Sequence, residues 1–507
     1  MGRFYVTTPI YYVNDRPHIG HAYTTVLADV LARYHRLVGD DVFFLTGTDE
    51  HGQKVQRAAA KAGQDPQAFV DETHAHFKAL WDRLGISHDR FIRTTDPDHV
   101  EFVRAALRKL HENGDIYLGE HEGLYDVASE SFVAPTEVGM HPIGSLVEVK
   151  EPAYYFRMAR HQEWLVDYIG NAPGFVQPDF RRNEVLGFLR KPLQDLCISR
   201  PKSRLSWGIE IPFDADYVAY VWFDALLNYI SPFEGSGSRF DELWPNSLHL
   251  VGKDILTFHA VYWPIMLRAL GLPPSKSVFA HGWWVSSDRG RKIGKSVGNA
   301  ARTLDLVDDL GADAFRYLLV DGVVPGQDGA FSRRRFVERY NARLANDLGN
   351  ALNRVVGLVV KNCGGSIPRP NPSGSEDDAL RDAVLGDAAE SIRHAVDLRP
   401  DLAVEAAARA AGAVNRYIEV QKPWETAKTS PDRFDTTIYN AAEALRVIGG
   451  VLHPVMPGKM GDLLEAVGSP REPSLDCLLR WGVTPAGVAV ASSGPLFPRA
   501  GLPQDDV

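Results

Sequence analysis

Short apolar runs alternate with helical periodicity in the first part of the chain. The run Phe-Tyr-Val-Thr-Thr at residues 4–8 predicts a buried strand, and Val-Phe-Phe-Leu at 42–45 predicts a second one. Between them, apolar residues at 22, 26, 30 and 34 form a helical stripe, while Asn14, Asp15 and Pro17 predict the cap and first turn. The pattern predicts a β-α-β unit, whose ligands bind at the carboxyl ends of the strands.

A second β-α-β half is predicted further along, where apolar runs at 247–252 and 277–282 flank a helical pattern around 258–270. Residues 117–205 carry short strands, turns and many Gly and Pro, which indicates an insertion. From Phe331 onward the pattern is helical and alanine-rich, with a turn-rich break at 363–372. The predicted class is α/β, with a Rossmann-like parallel-sheet domain, a connective insertion and a following all-α domain. The predicted ranges are 1–116 and 206–285 for the sheet domain, 117–205 for the insertion, 286–330 for a loop region, 331–485 for the helical domain and 486–507 for a tail.

Composition points to a large soluble enzyme. The 507 residues are 45% hydrophobic and 24% charged, which suits about three domains with sizeable cores. No apolar run approaches the length of a membrane span, and the chain starts directly with a strand, so we expect a cytoplasmic location and no membrane partner. The three cysteines Cys197, Cys363 and Cys477 are too scattered for a disulfide framework or a zinc pattern.

Two distant stretches carry the chemistry of a triphosphate site. His18 and His21 lie three residues apart at a predicted helix start, and Gly20 between them lets a flat base approach the backbone. The run Arg-Lys-Ile-Gly-Lys-Ser at 291–296, here called the lysine loop, supplies Lys292, Lys295 and Ser296; its lysines suit β and γ phosphates. A lone histidine more often caps a helix or fills a core, and a basic turn is often only solvated. The pairing of the two stretches favours a triphosphate site.

The net charge of −10 argues against a nucleic-acid partner only superficially, because binding surfaces are local. Basic residues cluster on one predicted helix and in one further segment, which would steer RNA to one face, although solvated faces explain the second cluster equally well. The clusters are Arg333, Arg334, Arg335, Arg339 and Arg343, and then Arg181, Arg182, Arg190, Lys191, Arg200, Lys202 and Arg204.

The two motifs resemble the signature pair of the class I aminoacyl-tRNA synthetases, with Ile293 and Gly294 in place of the usual Met and Ser. Within that class the chain resembles the methionyl-tRNA synthetases over essentially its whole length. The matching blocks stand in the family's order: Pro-Ile-Tyr-Tyr-Val-Asn at 9–14, Gly-Thr-Asp-Glu-His-Gly at 47–52, Tyr-Val-Trp-Phe-Asp-Ala at 220–225, Gly-Lys-Asp-Ile at 252–255 and His-Gly-Trp at 281–283.

The resemblance implies ATP-dependent ligation of L-methionine to tRNA(Met), initiator tRNA included, through methionyl-adenylate and with Mg²⁺ on the phosphates. It implies that His18, His21, Lys292 and Lys295 are catalytic, that Gly20, Asp254 and Ser296 join them at ATP, and that Asp49 pairs with the methionine ammonium. It implies that the side-chain pocket contains Ile10, Tyr12, Trp222, Ala225, Leu226, Tyr229, Ile255 and His259. The chemistry of methionine is consistent with this set of residues, because its ammonium needs a carboxylate and its thioether needs an aromatic surface.

Several of these residues have plainer alternatives. The 222, 225, 226, 229 spacing marks one helical face, which is usually ordinary core. Asp254 suits a turn or a helix cap as well as a ribose, and Asp49 suits a cap for a helix over residues 53–62.

For tRNA selection, Asn350 and Arg354 lie one turn apart and Trp424 follows a proline; they resemble the family's readers of the CAU anticodon. The alternative is a tryptophan buried between helices. The all-α domain is therefore expected to bind the anticodon.

Many relatives hold zinc through cysteines in the insertion, but this chain has Tyr-Asp-Val-Ala-Ser-Glu at 125–130. Asp126 and Ser129 cannot supply thiolates, so we expect no structural zinc and no metal site. With no appended dimerisation module in view, a monomer is expected. Two other functions remain at this point: a catalytically silent tRNA- or nucleotide-binding paralogue, and another nucleotidyltransferase with the same histidine motif.

Overall fold

The computed structural model describes residues 2–126, 131–133, 146–233, 238–286, 300–491 and 494–503. The strands in chain order are β1 (Arg3–Thr7), β2 (Tyr11–Tyr12), β3 (Asp41–Asp49), β4 (Arg90–Arg93), β5 (Ile116–Asp126), β6 (Ser131–Val133), β7 (Leu146–Phe156), β8 (Val176–Gln177), β9 (Leu196–Cys197), β10 (Ser199–Pro201), β11 (Glu210–Ile211), β12 (Asp214–Ala219), β13 (Ser247–Gly252), β14 (Ser277–His281), β15 (Trp284–Ser286) and β16 (Gly329–Phe331).

The α-helices are α1 (Ile19–Leu37), α2 (Gln53–Ala62), α3 (Pro66–Arg83), α4 (Pro97–Glu112), α5 (Gln162–Asn171), α6 (Asp179–Phe188), α7 (Val221–Leu226), α8 (Ser238–Leu243), α9 (Trp263–Ala269), α10 (Ala300–Leu310), α11 (Ala312–Asp321), α12 (Arg333–Arg339), α13 (Asn350–Asn362), α14 (Ser375–Val396), α15 (Pro400–Gln421), α16 (Pro423–Thr429), α17 (Pro431–Leu452), α18 (Pro457–Ala466) and α19 (Leu475–Leu478). Two π-helical stretches, Phe258–Tyr262 and Tyr340–Gly349, precede α9 and α13.

Among the described residues, seven parallel strands form the central sheet. Their order is β2-β3-β1-β13-β14-β8, with β4 also paired to β3. In register, Tyr5 of β1 faces Phe43 of β3 on one side and Ser247 of β13 on the other. The four strands predicted from apolar runs are confirmed as β1, β3, β13 and β14. Their buried side chains on both faces explain why the runs are continuous rather than alternating.

Helix α1 confirms the predicted stripe, because Ala22, Val26, Val30 and Tyr34 are all buried. The predicted cap is wrong. Asp15 accepts the N–H of its neighbour Arg16 at 2.8 Å, and the helix begins only at Ile19. His18 caps it instead, since its Nδ1 accepts the N–H of Gly20 at 3.1 Å.

A buried ion pair fixes α1 against later elements. Nη2 of Arg316, on α11, lies 2.7 Å from Oδ2 of Asp29, and both side chains are fully buried. Arg316 also donates to the carbonyl of Val455, beyond α17, at 2.7 Å. Burial opposes ionisation of Asp29, but Arg316 and Arg33 outweigh it and lower the pKa of that carboxyl. The histidine-bearing helix is thereby tied to the helical part of the chain.

The predicted insertion, residues 117–205, contains an antiparallel sheet of order β6-β5-β7-β9. Strand β10 near its end belongs to a smaller sheet of order β10-β12-β11, whose other two strands lie beyond residue 205, in the range predicted for the sheet domain. Strand β8 falls inside the insertion range but pairs with β14 in the central sheet, so the chain re-enters that sheet briefly.

Helices α14, α15 and α17 pack on one another after the turn-rich break. The tail returns to this region, where the hydroxyl of Tyr340 donates to the carbonyl of Pro498 at 2.7 Å. The exact domain limits stay predictions. Within the described ranges, no helix combines the length and apolarity that a bilayer crossing requires.

Candidate active site

One cavity of about 240 Å³ opens at the carboxyl ends of the central strands, where parallel sheets place their ligands. All the predicted methionine and ATP residues within the described part of the chain line it. The lining comprises Pro9, Ile10, Tyr11, Tyr12, His18, Gly20, His21, Tyr23, Thr24, Asp49, Trp222, Ala225, Leu226, Asn228, Tyr229, Gly252, Asp254, Ile255, His259, His281, Gly282, Trp283 and Trp284. Residues from both predicted β-α-β halves therefore meet in a single site.

The imidazoles of His18 and His21 stack, with their centroids 3.7 Å apart and their planes at 19°. The backbone N–H of His18 donates to Nδ1 of His21 at 3.2 Å, and that of Gly20 donates to Nδ1 of His18. Because each Nδ1 accepts a backbone proton, each neutral ring carries its own proton on Nε2. His18 does cap the helix, which was the alternative to a functional role. The capping bond to Nδ1 sets the tautomer of the ring, because it leaves the proton on Nε2.

Gly20 is required by the same geometry. A Cβ at this position would lie 2.9 Å from Cε1 of His18, closer than carbon atoms approach without displacement. Any side chain here would push the His18 ring out of its stack and cover the backbone at the helix N-terminus. That backbone end favours anions, which suits the phosphates of a nucleotide.

Asp49 is the last residue of β3, where it pairs with Tyr12 of the neighbouring strand β2. It is only 4% exposed. Its neighbour Thr48 turns away and donates to Oε1 of Glu50 at 2.7 Å. Helix α2 begins at Gln53 with Gly52 at its cap and no side-chain cap bond, so the cap alternative for Asp49 is wrong. Its carboxylate instead borders the cavity.

Glu50 anchors the end of β3 from behind. Its carboxylate accepts Nε and Nη2 of Arg93 at 2.7 and 2.8 Å, a bidentate pair with the carboxylate side chain fully buried. It also accepts the hydroxyl of Thr95 at 2.6 Å. These bonds hold the strand end that carries Asp49.

Aromatic and aliphatic side chains line the cavity together with Asp49. Trp222, Ala225 and Leu226 lie on α7, and Tyr229 follows in a 3₁₀ turn. The indole of Trp222 stacks on Phe258 with centroids 3.8 Å apart. Three of the four predicted positions are almost fully buried, as ordinary core would be, yet all four line the cavity.

His259 is fixed as a hydrogen-bond acceptor. Its Nδ1–H donates to the carbonyl of Ile255 at 2.9 Å, so Nε2 accepts the hydroxyl of Tyr229 at 2.7 Å. Burial lowers the pKa of His259 to about 4, although the bond to Ile255 and the charge of Asp254 act in the opposite direction. The imidazole is therefore neutral at physiological pH, and this end of the cavity carries no positive charge from it.

Asp254 also lines the cavity and lies in the 3₁₀ turn Lys253–Ile255. Its Oδ1 accepts Nε1 of Trp283 at 3.1 Å. The preceding Gly252 leaves it room, since a Cβ there would lie 2.6 Å from that oxygen. The turn alternative is correct for its backbone, and its side chain also lines the cavity.

Lys292, Lys295 and Ser296 lie outside the described residues, so their position relative to the cavity stays a prediction. Strand β15 immediately precedes that part of the chain and contributes Trp284 to the cavity wall.

Several lining residues received no role from the sequence. Tyr11 and Tyr23 are 6% and 1% exposed, and aromatic residues that well buried are indistinguishable from core in a sequence. Thr24 lies one turn after His21 and hydrogen-bonds Nε2 of His281 at 2.8 Å, which links α1 to the end of β14. Their closeness to the two motifs is the signal that could have found them.

The predicted anticodon residues lie together in the helical region. Asn350 and Arg354 line a groove of about 720 Å³ along α13 and α15. Arg354 pairs with Glu419 at 2.8 Å, and its guanidinium lies 5.3 Å from the ring centre of Trp424. Trp424 is 42% exposed, so the buried alternative is wrong and its ring is accessible to a base.

No cluster of His, Cys, Asp and Glu that could hold a metal occurs among the described residues. Asp126 ends β5, whereas Ser129 lies outside them.

Comparison with known proteins extends over nearly the whole chain. A family model described as tRNA synthetases class I (M) matches residues 4–144 and 142–356. The methionine–tRNA ligase of Caldanaerobacter subterraneus subsp. tengcongensis is 43% identical over 506 residues, covering 98% of this chain and 78% of that protein. The methionine–tRNA ligase of Rickettsia felis is 41% identical over 507 residues, covering 98% of each.

Solved structures are similar in fold and sequence. Mycobacterium tuberculosis methionyl-tRNA synthetase in complex with methionyl-adenylate has a TM-score of 0.92 and 38% identity, covering 98% of this chain and 100% of that one. The apo form of the M. tuberculosis protein has a TM-score of 0.86 and 35% identity, covering 99% of both chains.

Proposed function

We propose that this chain, which belongs to the class I methionyl-tRNA synthetases and is a methionine–tRNA ligase, forms methionyl-adenylate in the cavity between its two β-α-β halves. The observation that supports this proposal is that the described residues expected for methionine and for ATP line one and the same cavity. A similar M. tuberculosis structure holds methionyl-adenylate, the intermediate that such a shared cavity would contain.

Methionine binds with its ammonium at Asp49 and its thioether against the wall of Trp222, Leu226 and Tyr229. The buried carboxylate offers a charge-assisted contact that an amide does not replace. The hydroxyl of Tyr229 donates its proton to Nε2 of His259, so that proton is not available to the substrate. A thioether has no proton to donate and is soft, which suits an aromatic wall without a cation.

ATP binds as its magnesium salt on the side of His18, Gly20, His21 and Asp254. The methionine carboxylate oxygen attacks the α-phosphorus, the bond to the bridging oxygen of the β-phosphate breaks, and pyrophosphate leaves with that electron pair. The Nε2–H groups of His18 and His21 donate to the phosphate oxygens that gain charge. Lys292, Lys295 and Ser296 contribute from the lysine loop as the same charge develops. Asp254 accepts from the ribose hydroxyls.

The second step transfers the methionyl group to tRNA. The terminal ribose hydroxyl attacks the carbonyl carbon of the adenylate, the bond to the phosphate oxygen breaks, and AMP leaves with that electron pair while the hydroxyl proton passes to its phosphate. Selection of tRNA(Met), initiator tRNA included, rests on Asn350, Arg354 and Trp424, because an exposed indole stacks an unstacked base while the polar side chains read base edges. A monomeric state, a cytoplasmic location and the lack of structural zinc stay predictions.

Methionine-dependent exchange of labelled pyrophosphate into ATP tests the activation half-reaction. Exchange with methionine, but not with cysteine, isoleucine or leucine, is the expected result. A catalytically silent paralogue would bind tRNA without exchange, and a different nucleotidyltransferase would exchange independently of methionine.

A further inference from the structure

Asp328 bridges two segments at the ATP side of the cavity. Its Oδ1 accepts the backbone N–H of Trp283 at 2.8 Å, and its Oδ2 accepts Nζ of Lys253 at 2.7 Å. Trp283 follows β14 and Lys253 follows β13, which are neighbours in the central sheet. The ammonium of Lys253 also lies 4.2 Å from the ring centre of Trp283. One carboxylate therefore joins the ends of two adjacent strands.

The indole of Trp283 transmits this constraint to the nucleotide side. Its Nε1 donates to Oδ1 of Asp254 at 3.1 Å, and both residues line the cavity. Asp328 is not among the described residues that line it. It stands one residue behind the wall, in hydrogen-bond contact with two neighbours of Asp254: Lys253 in the chain and Trp283 in space.

Backbone contacts hold the segment of Asp328 independently of its charge. The N–H of Gly329 donates to the carbonyl of Trp283 at 2.8 Å, and β15 and β16 pair immediately beyond. A Cβ on Gly282 would lie 2.1 Å from the carbonyl oxygen of Gln327, so the two backbones are in close contact. A change of the Asp328 side chain should consequently leave the segment in place.

The carboxylate of Asp328 is ionised at neutral pH. Partial burial opposes ionisation, but the hydrogen bonds from Lys253 and Trp283 outweigh it and lower the pKa of Asp328. The pair with Lys253 therefore has both charges, and it is only partly exposed, at 37% for Asp328 and 21% for Lys253.

We propose that Asp328 is a positioning residue for ATP, which orients the carboxylate of Asp254 toward the ribose through Lys253 and Trp283. The inference rests on the role proposed above for Asp254. Rigid placement of a group that touches substrate is worth most when its supports are themselves held, as the backbone contacts of Asp328 provide.

Pyrophosphate exchange kinetics on Asp328→Asn, Asp254→Asn and the double variant test the proposal. Asparagine keeps an oxygen for the Trp283 N–H but removes the charge that holds Lys253. The KM for ATP should rise about 5- to 10-fold in Asp328→Asn, the range expected for one charge-assisted bond at a partly exposed site, with the KM for methionine within about 2-fold. The double variant should be no worse than Asp254→Asn alone, because Asp328 acts through Asp254.

Lys253→Met should reproduce the Asp328→Asn phenotype, since it removes the same pair and keeps the stem over Trp283. Glu242→Gln is the matched control: it breaks a partly exposed pair with Arg3 at the amino end of β1, away from the carboxyl ends of the strands where the cavity lies, and its kinetics should stay at wild type.

An unchanged KM for ATP in Asp328→Asn, beside a raised one in Asp254→Asn, would overturn the positioning role and leave Asp254 assigned. Multiplicative effects in the double variant would also overturn it. An unchanged KM for ATP in Asp254→Asn would instead refute the ribose role on which the inference rests.

Discussion

The hydroxyl of Tyr229 donates to Nε2 of His259 at 2.7 Å, and this bond sets the polarity of the methionine side of the cavity. Both side chains are almost fully buried, at 1% exposure each. Nε2 of His259 accepts this hydrogen bond, because the ring proton is on Nδ1, which donates to the carbonyl of Ile255. The pair therefore presents neither a cation nor a spare proton to the substrate.

Tyr229→Phe should weaken methionine binding by about 5- to 150-fold, because methionine would then displace the water that hydrates the unpaired Nε2 of His259, at a desolvation cost of about 1–3 kcal/mol. Calorimetric titration with methionine measures the effect. Tyr34→Phe is the control, since its hydroxyl makes an equivalent buried bond to Val451 away from the cavity. That variant should lose stability but keep its methionine affinity, and a similar loss in both would contradict the assignment.

Methionine affinity should stay constant as the pH falls through 6.5, because His259 remains neutral in the folded protein down to about pH 4. Stability should behave differently. The unfolded chain protonates this histidine near pH 6.5, so between that pH and about 4 the unfolded state binds more protons and the free energy of unfolding decreases as the pH falls. Paired titrations and chemical denaturation across this window check both statements. An affinity change centred near pH 6.5 that is lost in His259→Asn would show that His259 is charged in the site.

Asp49→Asn should raise the KM for methionine steeply and that for ATP far less. The substitution keeps size and removes a charge-assisted bond worth about 1.5–3 kcal/mol, so about a 10- to 150-fold loss of affinity is expected. Calorimetric titration of the folded variant with methionine measures this loss of affinity. Thr48→Val, which breaks the bond to Glu50 on the other face of the strand, should lower the melting temperature and spare methionine binding. Near-normal affinity in Asp49→Asn would remove Asp49 from the site.

Trp424→Ala should impair aminoacylation of tRNA while sparing pyrophosphate exchange, since stacking of a base is worth about 1–3 kcal/mol and the indole lies on the helical region. Its 42% exposure predicts little change in thermal stability. Val360→Ala removes an exposed apolar side chain from α13, a different helix of the same region, and should affect neither activity. Joint loss of exchange and aminoacylation would argue for a structural role of Trp424.

The sequence predicted the central sheet well because its strands are buried on both faces and therefore form continuous apolar runs. Strand β8 was missed, since two residues at a sheet edge leave no periodic signal. The predicted start of α1 is too early because Asn and Asp, present at positions 14 and 15, are favoured N-cap residues. The N-cap is His18, and histidine is rarely found at that position.

At the site, residues with charge or unusual spacing were predictable and their supports were not. His18 and His21 can be recognised from their motif, and Asp49 from its charge at the end of a predicted strand. Asp328 is 75 residues from Lys253 and has no motif, so only the fold brings the two together.

The rate of methionyl-adenylate formation in a single turnover of His21→Ala tests the central claim most directly. If Nε2–H of His21 stabilises charge that develops on the phosphates, adenylation should slow by at least about 100-fold while the dissociation constant for methionine stays at wild type. Lys295→Ala should likewise slow adenylation while leaving the dissociation constant for methionine at wild type. Unchanged adenylation with weakened methionine binding would contradict the account.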